Sequence, residues 1–467
     1  MKVKSNGSGL IYPFLLFILL ISLTFPLAIF SGENELDTNL INSIWDEVAD
    51  RLSRREYSAA LALCDTLPPE YARSTQVRIM RASIYNAAGR PVEARRIAES
   101  IISTERNNTE ALMILADAAL LENRDRDRRQ FLDRVISIDP NHARALNDLA
   151  NINLRNQNLR NAATYFDRAL AAEPNNGEAL VGRASVHRYN REPRNAERLL
   201  NQAISLYPNW ARPFAERGRL YKGAGLYADA IEDFSEALRL DPENYWVLVD
   251  YGQTLMEVNQ RQEALDLFNR AIKADSNIFM AYVYSAALKD EFGDYAGAEQ
   301  DYLQLTRLRP DYYFGFEALG VIRMRNKQWA LARDAFLEAY KQAPREYSYA
   351  LLAAINWMRA GRQTDPRQFL AQVLRATPRD TVEHAMLRLF HDLNGDENVA
   401  ILVENERNIL KKSQMLFYLA SYYDIRGSRT LSDRFYLLSQ ELDAVGSLEW
   451  QLNEIVLKER GIGLRIE

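Results

Sequence analysis

Cysteine and histidine are almost missing from this chain of 467 residues, which has one cysteine and four histidines. The single thiol, Cys64, cannot form a disulfide within the chain, and its place in the apolar stripe of a predicted helix indicates a small buried residue. His384 and His391 stand seven residues apart on one predicted helix, whereas zinc sites on helices use closer pairs and a third ligand. We therefore interpret both histidines as helix-packing residues and predict no metal site.

Patterns of catalytic residues are also missing. The sequence contains no glycine-rich phosphate loop, no Ser/His/Asp set and no paired-carboxylate signature. The net charge of −5 is mild for this length, and no nucleic-acid-binding motif accompanies it, although only ten of the 58 basic residues are lysine. These absences predict a protein that is not an enzyme, has no catalytic residues, uses no cofactor and does not bind nucleic acid.

Proline is sparse as well, but its positions are regular. A series with a spacing of 34 residues contains seven of the 15 prolines, and Ser276 takes the place of proline once in that series. The regular prolines are Pro140, Pro174, Pro208, Pro242, Pro310, Pro344 and Pro378. A fixed period of this length is typical of stacked repeats, in which each unit buries its apolar face against its neighbours.

Each period contains two helical stripes separated by a turn. Phe214, Gly218 and Tyr221 recur at helical spacing, and Gly225 marks the turn before the second stripe. A small residue returns at the eighth position of each unit, where two helices approach closely: Ala82, Ala116, Ala150, Ala184, Gly218, Gly252, Ala286, Gly320 and Ala354. The turns are predicted to use left-handed backbone at Gly89, Asn123, Gly225, Asn259, Gly293, Gly361 and Gly395.

This helix-turn-helix unit resembles the tetratricopeptide repeat (TPR). The resemblance covers residues 41–445 and implies an all-α solenoid, a right-handed superhelix of about twelve units, followed by a C-terminal capping helix and tail over residues 446–467. Units are predicted to start at Ile41, Thr75, Thr109, Ala143, Gly177, Ala211, Tyr245, Phe279, Tyr313, Tyr347 and Thr381, with an irregular twelfth from Ser413. The sequence departs from the family pattern at Arg128 and Pro366, which replace the small residue of the second helix.

The first 32 residues form a hydrophobic segment ahead of the array. Lys2 and Lys4 precede an apolar run over residues 10–30, and only acidic charges follow until Arg51. This order predicts that the N-terminus stays in the cytoplasm and that the array lies outside it, in the periplasm if the bacterial envelope is of the Gram-negative type. The run is long enough for a transmembrane anchor and also fits a cleaved signal peptide, so both interpretations stay open, with residues 33–40 as a linker.

In TPR proteins the first helices of successive units line the concave groove in which ligands usually bind. The resemblance therefore implies two sets of groove residues in this chain. The polar strip contains Arg144, Asn147, Asn151, Arg155, Arg212 and Arg219. The apolar strip contains Met280, Val283, Tyr284, Phe314, Val321, Met324, Leu351, Ile355 and Met358. An apolar strip indicates either a bound partner or burial by the chain's own C-terminal segment, and we keep both alternatives.

These features predict a non-enzymatic TPR scaffold for protein–protein interaction that is membrane-associated, is displayed outside the cytoplasm and binds a peptide or helix of a partner protein. The alternative is a substrate-recruiting or accessory subunit of an envelope enzyme or assembly complex. The family's clamp for a peptide C-terminal carboxylate is matched at only two of five positions, Asn151 and Arg212, which disfavours that ligand.

Overall fold

The computed structural model describes residues 35–361 and 366–462 of the chain. These residues fold into 26 α-helices and contain no β-strand, which confirms the predicted all-α class. None of the helices in the described ranges has the length and apolar character needed to cross a membrane. The hydrophobic segment predicted over residues 1–32 lies outside these ranges.

The chain divides into two compact units, Met1–Leu226 and Tyr227–Glu467. In the N-terminal unit, consecutive helices pack against one another along the chain. Its helices are α1 (Glu35–Ser53), α2 (Tyr57–Asp65), α3 (Pro69–Ala72), α4 (Thr75–Ala87), α5 (Pro91–Thr104), α6 (Thr109–Leu121), α7 (Asp125–Ile138), α8 (Ala143–Arg155), α9 (Leu159–Ala172), α10 (Gly177–Tyr189), α11 (Pro193–Leu206) and α12 (Ala211–Gly223).

The C-terminal unit continues the same alternation and ends with helices of irregular length. Its helices are α13 (Tyr227–Leu240), α14 (Tyr245–Glu257), α15 (Arg261–Ala274), α16 (Met280–Glu291), α17 (Tyr295–Leu308), α18 (Tyr313–Arg325), α19 (Trp329–Gln342), α20 (Tyr347–Arg359), α21 (Pro366–Ala376), α22 (Val382–Asp392), α23 (Asp396–Glu404), α24 (Ile409–Ile425), α25 (Arg429–Glu441) and α26 (Leu448–Arg460).

The helix starts confirm the predicted register. First helices begin on the predicted residue in eight units, namely at Thr75, Thr109, Ala143, Gly177, Ala211, Tyr245, Tyr313 and Tyr347. The predicted turn residues Gly89, Asn123, Gly225, Asn259, Gly293, Gly361 and Gly395 all have positive φ. Four residues that the sequence analysis does not single out, Arg55, Gln157, Arg191 and Lys327, adopt the same left-handed conformation in other turns between paired helices.

The structure differs from the predicted register at the ends of the array. Helix α1 begins at Glu35, inside the segment 33–40 that the sequence predicts as a linker. Helix α21 begins at Pro366, so the departure from the family pattern at this residue is a first-turn proline that delays the helix start, where no hydrogen bond is lost. Helix α24 begins at Ile409, four residues before the predicted start of the twelfth unit, and it follows the nine-residue helix α23.

Phenylalanines of the second helices form the centre of the repeats, and glycines allow them to fit. Phe166, Phe268 and Phe336 are fully buried. A Cβ atom built on Gly252 would lie 2.7 Å from the Phe268 ring, which is closer than packed carbon atoms approach. Cys64 occupies the same slot in the first unit, where burial raises the pKa of its thiol to about 11. It is therefore the small buried residue that the sequence predicts.

The first helices begin differently in the two units. In the N-terminal unit, α4, α6, α8 and α10 are each capped by a side chain that accepts a hydrogen bond from the backbone N–H three residues on; the capping residues are Ser74, Asn108, His142 and Asn176. Helix α12, which follows Trp210, has no such cap. In the C-terminal unit side chains also cap α14, α22 and α24, namely those of Asn244, Thr381 and Asn408. Between these helices, α16, α18 and α20 follow Phe279, Tyr312 and Glu346 and have no side-chain cap.

Candidate protein-binding surfaces

Part of the apolar strip is interior rather than surface. Leu351 and Ile355 are completely buried, Met358 is 3% exposed and Met324 is 7% exposed. They belong to one hydrophobic cluster with α22 and α24, and α20 packs directly against α24. These four residues therefore do not form an open binding surface. The alternative in which the chain's own C-terminal segment buries the strip holds for this part.

A buried carboxylate fastens the C-terminal helices over that part of the strip. Glu449 of α26 is 1% exposed and accepts hydrogen bonds from the Tyr418 hydroxyl at 2.5 Å, from Gln414 Nε2 at 2.9 Å and from the Ser348 hydroxyl. Burial, together with the charge of Glu449, raises the pKa of Tyr418 well above its usual value, so that the hydroxyl remains a donor. Three helices, α20, α24 and α26, thus meet at one carboxylate.

A second contact fastens the other end of α26. Asp424 accepts hydrogen bonds from Arg359 of α20 at 3.2 Å and from Arg460 at 2.5 Å. Arg460 also pairs with Asp433 of α25. Buried or half-buried charges therefore hold both ends of α26. The helices that cover this part of the apolar strip are an integral part of the fold.

The rest of the apolar strip stays accessible. Phe314 is 48% exposed, and Met280, Val283, Tyr284 and Val321 are half-buried. The Tyr284 ring stacks on Phe268 at a centroid distance of 4.9 Å, and its hydroxyl accepts a hydrogen bond from Gln253 Nε2 at 2.7 Å. The strip predicted as one surface is therefore two regions, one covered and one open.

Ion pairs between neighbouring repeats organise the polar strip. Arg144 of α8 makes two hydrogen bonds, at 2.8 and 2.7 Å, to the carboxylate of Asp117 on α6. Burial raises the pKa of Asp117, and the neighbouring Asp148 adds to this shift while Arg144 opposes it. Asn147 is only 6% exposed and donates to Asn176 Oδ1 at 2.8 Å, so it fixes the next repeat rather than facing solvent.

Glu216 is the centre of the second ion-pair group in this strip. It accepts a hydrogen bond from Arg219 at 2.7 Å, and Arg188 lies 3.6 Å away. Burial favours the neutral acid, but Arg219, Arg188 and Arg212 together hold the pKa of Glu216 below its ordinary value. Arg212 pairs in addition with Glu178 of the preceding first helix. The carboxylate is therefore ionised and fixes the arginines around it.

Asn151 and Arg155 are the least engaged members of the polar strip. Asn151 is half-buried and Arg155 is exposed. Restricted hydration and the charge of nearby Arg128 lower the pKa of Arg155, which has no ion pair within the described residues. The charges of Asp125 and Asp148 oppose this shift, but neither carboxylate forms an ion pair with the Arg155 guanidinium.

Arg128 is a member of this region that the sequence analysis did not assign to the site. It is 4% exposed and pairs with Asp148 at 3.0 Å, while its Nε and Nη1 atoms are buried without a hydrogen-bond partner. Its signal in the sequence is the departure already noted, an arginine in the slot that usually holds alanine. A long cation there reaches the first helix of the next repeat, which alanine cannot do.

The histidines and acidic residues form no metal centre in the described part of the chain. No group of three or more His, Cys, Asp or Glu side chains there is arranged to hold an ion. His391 instead makes a 2.6 Å hydrogen bond with Asp392, and His384 is half-buried in α22.

Several solved structures are similar to part of this chain. PilF of Pseudomonas aeruginosa is 19% identical over 43% of this chain and 92% of its own, with a TM-score of 0.40. YrrB, a TPR protein with an unusual peptide-binding site, is 20% identical over 39% of this chain and 95% of its own, with a TM-score of 0.30. Cut9–Hcn1 of the APC/C hetero-tetramer is 16% identical over 65% of this chain and 68% of its own, with a TM-score of 0.36. No curated protein matches the chain.

Two sequence models of the tetratricopeptide repeat match this chain several times. One matches residues 85–152 and 222–287, and the other matches residues 147–209, 181–245 and 285–347. Together the matches run without a break from residue 85 to residue 347, which is more than half of the chain. Their spacing agrees with the paired helices described above. The chain belongs to the tetratricopeptide repeat family, whose arrays are protein–protein interaction scaffolds.

Proposed function

We propose that this TPR scaffold binds a carboxylate-bearing peptide segment of a partner protein along the polar strip of its N-terminal unit. The observation that carries the proposal is an excess of fixed cations. Six arginines share five carboxylates there; the arginines are Arg128, Arg144, Arg155, Arg188, Arg212 and Arg219, and the acids are Asp117, Asp125, Asp148, Glu178 and Glu216. The surplus positive charge is complementary to an acidic ligand.

The arrangement also suits recognition by arginine. A guanidinium offers several N–H donors in a planar fork and can hold one carboxylate while it presents further donors to another. The ion pairs of Arg212 and Arg219 restrict these side chains before any ligand arrives. Because less side-chain freedom is then lost on binding, prior ordering increases affinity. Arg155, which has no such pair, is the cation with most to gain from a ligand.

We further propose that the array is held at the membrane, on the outer side of the cytoplasmic membrane, by the N-terminal segment. The charge order around the apolar run of residues 10–30 supports this orientation. A fusion of alkaline phosphatase after Glu467 should be active in intact bacteria, because this enzyme folds only outside the cytoplasm. N-terminal sequencing of the mature protein then distinguishes a cleaved signal peptide from an anchor. An inactive but well-expressed fusion would refute the orientation.

Peptide binding tests the ligand class. The probe is a short fluorescein-labelled peptide of alternating Glu and Ser, added to the full-length protein and followed by fluorescence anisotropy. We expect binding that weakens as salt is raised. Arg155→Gln should weaken it by about tenfold, a loss of about 1.4 kcal/mol.

Arg54→Gln is the matched control, because Arg54 is an exposed arginine of the same unit whose ion pair with Asp50 lies outside the strip. It should leave the affinity unchanged. Equal losses from Arg155→Gln and Arg54→Gln would show nonspecific attraction and refute the site. Equal binding of a Gln-Ser peptide would refute the acidic ligand.

A further inference from the structure

A second accessible surface, in the C-terminal unit, differs in chemistry from the polar strip. We define the aromatic surface as Trp246, Phe279, Tyr312, Tyr313 and Phe314, which lie at or next to the starts of α14, α16 and α18. Trp246 is 49% exposed and Phe314 is 48% exposed, while the other three are half-buried. Such a concentration of half-open aromatic rings on successive repeats is a feature of interaction surfaces.

Direct contacts join these helix starts into one surface. The Tyr245 hydroxyl accepts a hydrogen bond from the Ala281 N–H at 2.9 Å and donates to the Ile278 carbonyl at 3.3 Å, which ties α14 to α16 beside Trp246. Phe279 contacts Tyr312 at a centroid distance of 6.4 Å. The Phe314 ring then lies 5.7 Å from Tyr312 and 4.1 Å from Tyr313.

Aromatic residues occupy N-cap positions at which a polar side chain would stabilise the helix. Phe279 and Tyr312 stand at the N-caps of α16 and α18, where Asn108 and Asn176 cap the equivalent helices of the N-terminal unit. Losing a side-chain cap costs about 1 kcal/mol for each helix. Places where a fold gives up local stability in this way are expected at functional sites.

A carboxylate lies beside one of these rings. Glu317 follows Phe314 by three residues on α18 and therefore lies on the same face of the helix. It accepts a hydrogen bond from the Tyr349 hydroxyl at 2.5 Å and has no ion pair within the described residues. Burial raises its pKa, and the neighbouring carboxylates of Glu449 and Glu346 add to the shift while Tyr349 opposes it. A cation arriving beside Glu317 would relieve this repulsion.

The chain itself contains one example of a cation on this surface. The Arg309 guanidinium lies 4.6 Å from the centroid of the Phe279 ring while its Nε donates to Asp311 at 2.9 Å. Aromatic ring and carboxylate thus hold one guanidinium together. Phe314 and Glu317 offer the same two groups, and Phe314 has no cation over its ring among the described residues.

We propose that the aromatic surface binds a cationic peptide segment of a partner protein, with Lys or Arg side chains placed over the Trp246 and Phe314 rings and beside the Glu317 carboxylate. Cations bind over the faces of such rings, most strongly over tryptophan. This surface therefore selects the charge opposite to the one selected by the polar strip. A protein segment with basic residues is the occupant that satisfies both the rings and the carboxylate.

The test uses the full-length protein and a short fluorescein-labelled peptide of alternating Arg and Ser, with fluorescence anisotropy as the readout. Phe314→Ala and Trp246→Ala should each weaken binding by about three- to thirtyfold, the range expected for cation–π contacts. Glu317→Gln should also weaken it and should reduce its dependence on salt. Phe292→Ala is the matched control, because Phe292 is 44% exposed at the end of α16, away from the helix starts.

Three results would overturn the proposal. The first is unchanged affinity in Phe314→Ala when circular dichroism shows that the fold is intact. The second is equal binding of a Gln-Ser peptide, which would indicate that charge is not recognised. The third is self-association of the protein without peptide that Phe314→Ala abolishes, since a second copy would then be the occupant. An Arg155→Gln variant should bind the Arg-Ser peptide normally, which separates this surface from the polar strip.

Discussion

The two units of this protein use the same repeat but present different chemistry on their first helices. In the N-terminal unit four first helices begin with polar caps, and ion pairs such as Arg144 with Asp117 join neighbouring repeats. In the C-terminal unit α16 and α18 begin after the aromatic residues Phe279 and Tyr312, and the apolar residues further along, such as Leu351, are covered by the chain's own helices. The repeat thus determines the packing stripe and leaves the first-helix face free to vary.

The difference also shows how each face is made compatible with water. In the N-terminal unit Glu216 keeps its charge despite burial because Arg219, Arg188 and Arg212 lie near its carboxylate. An apolar face of similar extent would be an aggregation hazard if left open. The C-terminal unit reduces that hazard by covering Leu351 and Ile355 with α24 and α26, whereas Trp246 and Phe314 at the helix starts stay exposed.

The largest effect is expected when a substitution in the covered part of the apolar strip is compared with one in its open part. Leu351→Ala should lower the free energy of unfolding by about 2–5 kcal/mol, because it leaves a cavity among fully buried residues. Phe314→Ala, in the same predicted strip, should change it by less than about 0.5 kcal/mol, as for an exposed site. Urea unfolding followed by circular dichroism measures both. Equal losses in the two variants would show that the strip is one continuous interior.

Removing the central carboxylate of the polar strip should have the next largest effect. Glu216→Gln should lower the free energy of unfolding at neutral pH by about 1.5–3 kcal/mol, because Arg219 and Arg188 lose a charged acceptor. The pKa of Glu216 is depressed in the folded state, so its stabilising contribution is present above the unfolded pKa of about 4.3 and is lost as pH falls through the folded value.

The difference between wild type and Glu216→Gln should therefore shrink as the medium is acidified below about pH 4.3. Urea unfolding repeated across this range measures it. As a control, the exposed pair of Glu236 and Arg239 should contribute little, and Glu236→Gln should change stability by less than about 1 kcal/mol. A difference for Glu216→Gln that stays constant with pH would contradict the assigned ionisation.

The register of the helices could be predicted from sequence because each unit carries its own signals. The small residues and the turn glycines act within a single unit or between neighbours, so a 34-residue period reveals them. Glu449 bonds to Ser348, about a hundred residues earlier in the chain, and no local pattern encodes such a contact. The covered part of the apolar strip could not be distinguished from the open part for this reason.

The candidate sites were predictable to a similar degree. The resemblance to the TPR predicts which first-helix positions line the groove, and they include Arg212 and Phe314. Which of them remain accessible depends on partners in other repeats, as Asn147 shows by bonding to Asn176. The sequence contains Phe279 and Tyr312 but does not indicate that they form one surface. That follows from the contact between their rings at the starts of α16 and α18.

The third test concerns the close packing of a glycine against a phenylalanine ring, which occurs in both units. A Cβ atom on Gly182 would lie 2.2 Å from the ring of the fully buried Phe166, so Gly182→Ala should lower the free energy of unfolding by about 1–3 kcal/mol. Gly223→Ala is the matched control, because nothing lies within 4 Å of its Cβ position. It should be neutral or stabilising by up to about 1 kcal/mol, since alanine favours helix over glycine. Stabilisation by both changes would show that the ring can move away.

The smallest effect has the opposite sign and tests why the two units begin their helices differently. Tyr312→Asn places at the start of α18 the residue that caps α6 and α10, and its side chain can accept from the Gly315 N–H. The new cap should raise the free energy of unfolding by about 0.5–1 kcal/mol. The same change removes the ring between Phe279 and Phe314, so binding of the Arg-Ser peptide should weaken.

Asn176→Ala, which removes a cap in the N-terminal unit, is the control and should lower the free energy of unfolding without affecting binding of that peptide. If Tyr312→Asn is stabilised and binds as well as wild type, the aromatic starts have no role in recognition.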